Sequence, residues 1–364
     1  MRFYFCLFLM VFSSCALAQK GVFKYKDWEI VCDNTLTCRA VGYNNKQQEN
    51  DISLLLIRHA GKNQSFSGYI KLNYDEPEAI PISLSINNQS LGDLSWIADE
   101  YYYELSLQQT EKIIQALKGD NNTVSFNSND KKRVLSDAGF NAVMLKMDEQ
   151  QGRIGTTGAV INTGNQDESK VYSANKPPVI YKARVPNPEQ NQNITFEEAI
   201  ALFPELKQRY LHEVNLEPEV LESNCTAFEE LTGEENDYTI FRDEFPSPRL
   251  IKLDDNYQLL EVLCDFTPRE SNFAYWLIPN AIEPIDSNIK LITKMGDIYL
   301  DGTINAKPCV DLGRGGDGCM NVADWIWDGK QFSLEAKTEF SGQEFAGGAW
   351  FLPVFVSEVK TAER

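Results

Sequence analysis

Cysteine usage limits the folds open to this chain more tightly than any other feature. Two of its eight cysteines, Cys6 and Cys15, fall in an opening segment, MRFYFCLFLMVFSSCALAQ, that reads as an export signal. Arg2 supplies a short basic region, Phe3 to Phe12 an apolar run, and Ala16-Leu17-Ala18 the small residues a signal peptidase reads. Cleavage is expected after Ala18, so that residues 1–18 are removed. The apolar run is too short to span about 30 Å of hydrocarbon as a helix, and no transmembrane segment is expected in the mature chain. Lipidation of Cys15 is the weaker alternative, because Phe12-Ser13-Ser14 stands where such a signal carries a small aliphatic residue. The remaining cysteines, Cys32, Cys38, Cys225, Cys264, Cys309 and Cys319, form an even set in a periplasmic or secreted, oxidising setting, and read as disulfides. Short separations favour Cys32 with Cys38 and Cys309 with Cys319, which leaves Cys225 for Cys264. A zinc site would ask for closer knuckles or neighbouring histidines.

Around these cysteines the apolar residues recur with the period of strands. Strands are expected at Trp28–Val31, Cys38–Tyr43, Ile52–Arg58, Phe66–Leu72 and Ile80–Ile86, then near Val124, at Ala142–Met147 and at Thr156–Asn162. One helix interrupts them from Leu107 to Lys118, opened by a Ser106/Gln109 capping box and stopped by Gly119. Polar residues and prolines between Gly164 and Asn193 mark an extended connection. A second capping box, Thr195 with Glu198, opens a helical stretch running through Leu206, Tyr210 and Val214 that Pro204 should break or kink. Strands then return at Tyr238–Phe241, Leu250–Leu253, Tyr257–Asp265, Phe273–Ile278, Ile298–Thr303, Phe332–Lys337 and Trp350–Val356, with Asp328-Gly329 as a hairpin signal. The expected fold is mainly β with a few helices: two antiparallel, sandwich-like β-rich domains with disulfides, at 19–165 and 194–364, joined by a Pro/polar linker at 166–193, the second domain opening on its helix.

The chemistry is less legible. With 53 acidic against 34 basic residues and a net charge of -19, a general nucleic-acid-binding surface is excluded. Beyond the export segment the only histidines are His59 and His212, and no GxSxG segment marks a serine nucleophile. Carboxylate chemistry on a glycan needs two acids across a sugar bond. Asp27 and Glu29 around Trp28, Asp265 after Cys264, and Asp328 after two tryptophans offer spacings for it but no constellation. The acidic pairs lack the ordered spacing of a calcium loop. Gly313-Arg314-Gly315-Gly316-Asp317-Gly318 lacks the Lys-Ser/Thr and the helix of a phosphate loop, and reads as a flexible loop pinned by a disulfide at Cys319, where Arg314 could contact a partner. Trp325 and Trp327 share one face of a strand. Core packing explains them most simply, and a ligand platform with Arg314 and Asp328 is the functional alternative. Tyr101-Tyr102-Tyr103 suggests outer rings in the core and the middle one outside. No catalytic residue, cofactor or metal is expected.

The opening Phe23-Lys24-Tyr25-Lys26-Asp27-Trp28-Glu29-Ile30-Val31-Cys32-Asp33-Asn34, with Thr37-Cys38-Arg39-Ala40, resembles that of the bacterial exported family called domain of unknown function 1176. The resemblance continues in order through Leu145-Lys146-Met147-Asp148, Gln151-Gly152-Arg153-Ile154-Gly155, Gly313-Arg314-Gly315, Gly318-Cys319 and Trp325-Ile326-Trp327-Asp328-Gly329. Near the end, Gln343-Glu344-Phe345-Ala346-Gly347 lacks a cysteine where the family commonly has a Cys-Arg-Gly element, and Cys309 is the alternative partner for Cys319. The opening is also similar to the domain of invasion-associated locus B proteins, which implies a β-rich exported module associated with the cell envelope. The family's activity is unassigned, so no catalytic residue carries over. The functional expectation is an envelope or periplasmic protein that binds another protein or a surface glycan without catalysis. The alternatives are a carboxylate-dependent glycan hydrolase and a structural envelope-maintenance protein.

Overall fold

Two-residue alternation builds the first sheet. The computed structural model describes residues 21–44, 52–72, 80–128, 131–202, 246–267, 270–280, 289–306, 309–311, 317–319, 323–341 and 350–361; the expected signal segment, Cys225, Arg314 and His212 lie outside them. The strands of the first part are β1 (Phe23–Tyr25), β2 (Trp28–Cys32), β3 (Cys38–Tyr43), β4 (Ile52–Arg58), β5 (Phe66–Leu72), β6 (Ser83–Ile86), β7 (Gln89–Asp93), β8 (Ser95–Ile97), β9 (Tyr102–Leu105), β10 (Val124–Ser128) and β11 (Lys131–Val134), with helices α1 (Leu107–Lys118) and α2 (Phe140–Gln150). They form an antiparallel sheet of order β1-β2-β3-β4-β5-β9-β8 and a second of order β11-β10-β6-β7. On β2 and β3, Trp28, Ile30, Cys38 and Ala40 face a core shared with both helices and with Leu84, Val124 and Phe126 of the smaller sheet. The alternate residues Val31, Val41 and Tyr43 face the opposite side, where Trp350 and Leu352 cover them. Both faces of the central strands are therefore dry, which explains why Ile52-Ser53-Leu54-Leu55-Leu56-Ile57 is nearly all apolar.

Helix α1 forms where its capping box places it: Ser106 accepts from the Gln109 N–H and the Gln109 side chain accepts from the Ser106 N–H. Ser106→Ala should cost about 1 kcal/mol of stability in denaturant unfolding, while Ser106→Thr should be close to neutral. The expected strand at Ala142–Met147 is instead part of α2. Phe140, Val143, Met144 and Met147 are all fully buried at i, i+3, i+4 and i+7, a helical stripe that a six-residue window cuts too short to reveal. The expected strand at Thr156–Asn162 is a run of turns. Thr156 donates its N–H and its hydroxyl to the Arg153 carbonyl, Gly155 N–H bonds Asn162 O, and Gly155 and Asn162 take positive φ, so this stretch cannot extend. Of the tyrosine triplet only Tyr103 enters the inner core, Tyr102 packs beside Trp350, and Tyr101, in the left-handed region, is exposed. The sheet's second face is covered, so alternation there selects between two interiors.

The later strands are β12 (Val179–Lys182), β13 (Gln192–Asn193), β14 (Arg249–Lys252), β15 (Tyr257–Thr267), β16 (Glu270–Pro279), β17 (Lys290–Gly296), β18 (Ile298–Leu300), β19 (Thr303–Ala306), β20 (Cys309–Asp311), β21 (Asp317–Cys319), β22 (Ala323–Trp327), β23 (Phe332–Phe340), β24 (Phe351–Val356) and β25 (Glu358–Thr361), with helix α3 (Phe196–Leu202) after β13. The Thr195/Glu198 capping box opens α3 as expected; Pro204 and the stretch through Val214, like Tyr238–Phe241, lie outside the described residues. Sheets β13-β14-β15-β16-β17 and β18-β19-β22-β23-β24 share a core in which Ile251, Leu259 and Tyr275 of the first meet Ile304, Trp327 and Phe332 of the second. This is two-sheet packing of antiparallel strands. The expected single strand Ile298–Thr303 is a hairpin: Asp301 (φ 46°) and Gly302 (φ 76°) turn β18 into β19 through a two-residue loop. Asp328-Gly329 also sits in a hairpin, but a longer one, with Trp327 paired to Phe332.

The two parts touch along a seam. Trp350 Nε1 donates to Ser53 Oγ at 2.9 Å, Lys71 lies over the Trp350 ring at 4.4 Å, and the parallel pair β12–β25 brings the connecting segment onto the last strand. Cys32 and Cys38 are opposite each other in the β2–β3 register and are disulfide-bonded. Cys264 is disulfide-bonded as well, while Cys225, its expected partner, lies outside the described residues. The backbone register sets Cys309 opposite Cys319.

Candidate functional site

The most charged interior cluster grows from the segment Asp148 to Gly155 at the end of α2. Asp148 is fully buried, its Oδ2 accepts the Ile161 N–H at 2.7 Å, and its Oδ1 lies 3.6 Å from Arg58 Nη1. Arg58 reaches from β4 to the carbonyls of Gln64 (3.1 Å) and Gly158 (2.8 Å) and stacks over Phe66. Arg153, also fully buried, donates to Gln151 Oε1 at 3.0 Å, to Glu168, and to the Gly61 carbonyl. Glu168 in turn accepts the Asn63 N–H. Gln151 spends its amide on the carbonyls of Leu36 and Arg58, both at 3.0 Å.

Burial raises the Asp148 carboxyl to about 6 against the pull of the Ile161 N–H and of Arg58. Burial likewise disfavours charge on Glu168, but the Asn63 N–H and the Arg153 guanidinium outweigh it and hold that carboxyl below its usual range. Two arginines thus face two carboxylates across the β4–β5 hairpin and the 151–171 turns. The cluster is sealed from solvent, so it tethers loops and does not present reactive groups.

The residues singled out from sequence are scattered. Trp327 is fully buried against Tyr257 and Phe332, so it belongs to the core and not to a ligand surface. Trp325 shares that face, half-buried between two core clusters. The Asp328 carboxylate accepts the N–H groups of Lys330 and Gln331, both at 2.9 Å, and the Ser333 hydroxyl, which commits it to the hairpin. Asp27 and Glu29 are not a pair: Asp27 lies in the β1–β2 turn and accepts from Ser136, whereas Glu29 is buried, accepts the Tyr43 hydroxyl at 2.7 Å and pairs with Lys24. His59 is exposed, with Nδ1 3.3 Å from the Thr37 hydroxyl. A different pair of acids lies on adjacent strands. Glu335 falls at the β22–β23 register shift beside Asp324, and burial, then the Asp324 charge, raises its carboxyl while Lys182 lowers it. Ten residues of sequence and a bulge separate these acids, so no spacing rule could have joined them.

A cleft of about 370 Å³ lies between Tyr25 and Lys26, the end of α1 from Leu117 to Asp120, and the start of α2 at Asp137–Gly139, Asn141 and Ala142. Gly139 is required there: its φ is 105°, and a Cβ would come within 2.0 Å of the Tyr25 carbonyl. At the rim Tyr25 is 49% exposed, with Lys26 Nζ 5.7 Å from its ring centre, and Phe23 is exposed two residues away on the same edge strand. These aromatics carry no sequence signal because β1, at three residues, is too short to establish a period.

Sealed ion pairs, several antiparallel sheets and a cross-strand disulfide define a mostly β, disulfide-containing fold. A family model described as a protein of unknown function (DUF1176) matches residues 22–357, and the chain belongs to that family. Neither the comparison with curated proteins nor that with solved structures gave a match. Among the described residues no group of His, Cys, Asp and Glu could hold a metal ion, and no helix is long and apolar enough to cross a membrane.

Proposed function

We propose that the protein is an exported, envelope-associated binding module that holds another protein or a surface glycan at the cleft beside β1. The observation that carries this reading is the contrast between the two polar regions: the Asp148–Arg153 cluster is shut away, whereas Tyr25 stands exposed at the rim of a cleft with Lys26 beside it. An exposed ring with a neighbouring ammonium contacts a sugar face or an apolar side chain with little ordering cost. The expected export segment at residues 1–18 supports an envelope setting. Crosslinking in cells, followed by capture from the envelope fraction, tests it. Tyr25→Ala should lower recovery of a specific protein or glycan about tenfold, the effect of about 1.4 kcal/mol, while folded Trp325→Ala should retain it. Equal recovery by Tyr25→Ala would remove the cleft from the reading.

A carboxylate-dependent glycan hydrolase is the second reading, favoured by Glu335 beside Asp324. It requires product release from peptidoglycan or polysaccharide substrates that Glu335→Gln abolishes. No release alongside a working control enzyme would discard it.

A further inference from the structure

The Cys32–Cys38 loop has contacts that its size does not require. Besides closing a tight β2–β3 connection, it bonds three segments distant in sequence. Asn34 donates its amide to the Val356 carbonyl at 2.9 Å and accepts the Val356 N–H at 2.8 Å, so one side chain takes both hydrogen bonds of the last residue of β24. Asn175 of the connecting segment donates its side-chain amide to Asn34 O at 3.0 Å and its N–H to Thr35 O at 3.3 Å. Gln151, at the end of α2, donates to Leu36 O. The loop offers these groups only in one shape, with Leu36 at φ 66°, a left-handed conformation that disfavours a leucine. That shape has two supports. One is the disulfide, and the other is Asp33, whose carboxylate accepts from Thr35 and Thr37 and pairs with Arg39.

From this geometry we infer that the Cys32–Cys38 disulfide is a redox-sensitive clasp: while it is closed, the loop holds β24 and the connecting segment against the first sheet, and its reduction releases both. The proposal does not depend on what the protein binds. Access to the bond is one-sided, because Cys38 is fully buried and Cys32 half-buried. A dithiol reductant therefore attacks the Cys32 sulfur. The S–S bond breaks, Cys38 leaves as a thiolate and takes up a proton, and the second thiol of the reductant closes its own disulfide and frees Cys32 as a thiol. Two electrons and two protons pass from reductant to protein. The released segments lose hydrogen bonds made to backbone groups of a loop that no longer keeps Leu36 left-handed.

Hydrogen exchange on the full chain tests this. In Cys32→Ser/Cys38→Ser the amides of Val356 and Asn175 should exchange at least about tenfold faster, while Leu54 and Leu56 in the first sheet keep their protection. Asn34→Ala should reproduce the Val356 effect with the disulfide intact. Unchanged exchange at Val356 and Asn175 in the folded double variant would mean that Asp33 alone holds the loop, and would overturn the clasp. Should the double variant fail to fold, wild-type protein is treated with dithiothreitol under native conditions and alkylated for mass spectrometry. The expected result is Cys32 and Cys38 labelled before Cys264, together with faster Val356 exchange. Labelling of Cys264 first, or of Cys32 and Cys38 with Val356 still protected, would equally overturn it.

Discussion

Arg153→Ala is expected to remove about 3–5 kcal/mol of unfolding free energy, the cost of breaking a buried ion pair from one side. Arg153 is fully buried and its guanidinium is shared among Glu168, the Gln151 side chain and the Gly61 carbonyl. Truncation leaves the Glu168 carboxylate in an interior where, among the described residues, the Asn63 N–H donates to it. Denaturant unfolding of Arg153→Ala, Glu168→Gln and the double variant separates the pair from its surroundings. Glu168→Gln should cost less than Arg153→Ala, since a neutral amide needs no counter-charge, and the double variant should be less destabilised than the sum of the two single variants. A loss below about 1 kcal/mol for Arg153→Ala would mean that water reaches the site, and would contradict the sealed cluster. Arg153→Lys should not rescue stability, because an ammonium cannot reproduce three in-plane donors.

The same cluster marks where sequence reading succeeds and where it stops. Strands β3, β4 and β5 and helix α1 were legible to the residue because local rules decide them: alternation, a capping box and a terminal glycine. Helix α2 was not, although its stripe Phe140, Val143, Met144 and Met147 is present in the sequence, because the segment is short and apolar enough to pass for a buried strand. The hairpin at Asp301-Gly302 was missed for a related reason. Ile298, Leu300 and Thr303 read as one alternating run, and only the positive φ angles at the turn reveal the fold-back. Arg153 and Asp148 lay in a segment carrying the family resemblance, yet nothing local says that an arginine goes inward. Its partners Glu168 and Gly61 are joined to it by tertiary folding alone. Trp325 and Trp327 were rightly placed on one face, but which face meets solvent depends on a second sheet that comes earlier in the chain. The exposed Tyr25 gave no pattern because an edge strand of three residues has no period to measure.

Asp148→Asn should remove a stabilisation that the wild-type protein gains in mild acid. The Asp148 carboxyl is raised by burial to about 6 in the folded protein, from an ordinary 3.8 when unfolded. Between these values the folded state holds the extra proton, so stability from this group is fully present below about pH 3.8 and is lost as pH rises through about 6. Between pH 4.5 and pH 7 the loss amounts to about 2 kcal/mol. Glu168, held below its usual range, acts with the opposite sign: its contribution is present above its unfolded value and is lost as pH falls through its lower folded one. The two windows separate, so subtracting the Asp148→Asn profile from the wild-type profile isolates the first. The difference should favour wild type by about 2 kcal/mol more at pH 4.5 than at pH 7. A difference that stays constant with pH would mean that Asp148 keeps an ordinary carboxyl and that Arg58, 3.6 Å away, compensates its burial in full. A buried acid with this sign makes the loop tether firmer in mild acid.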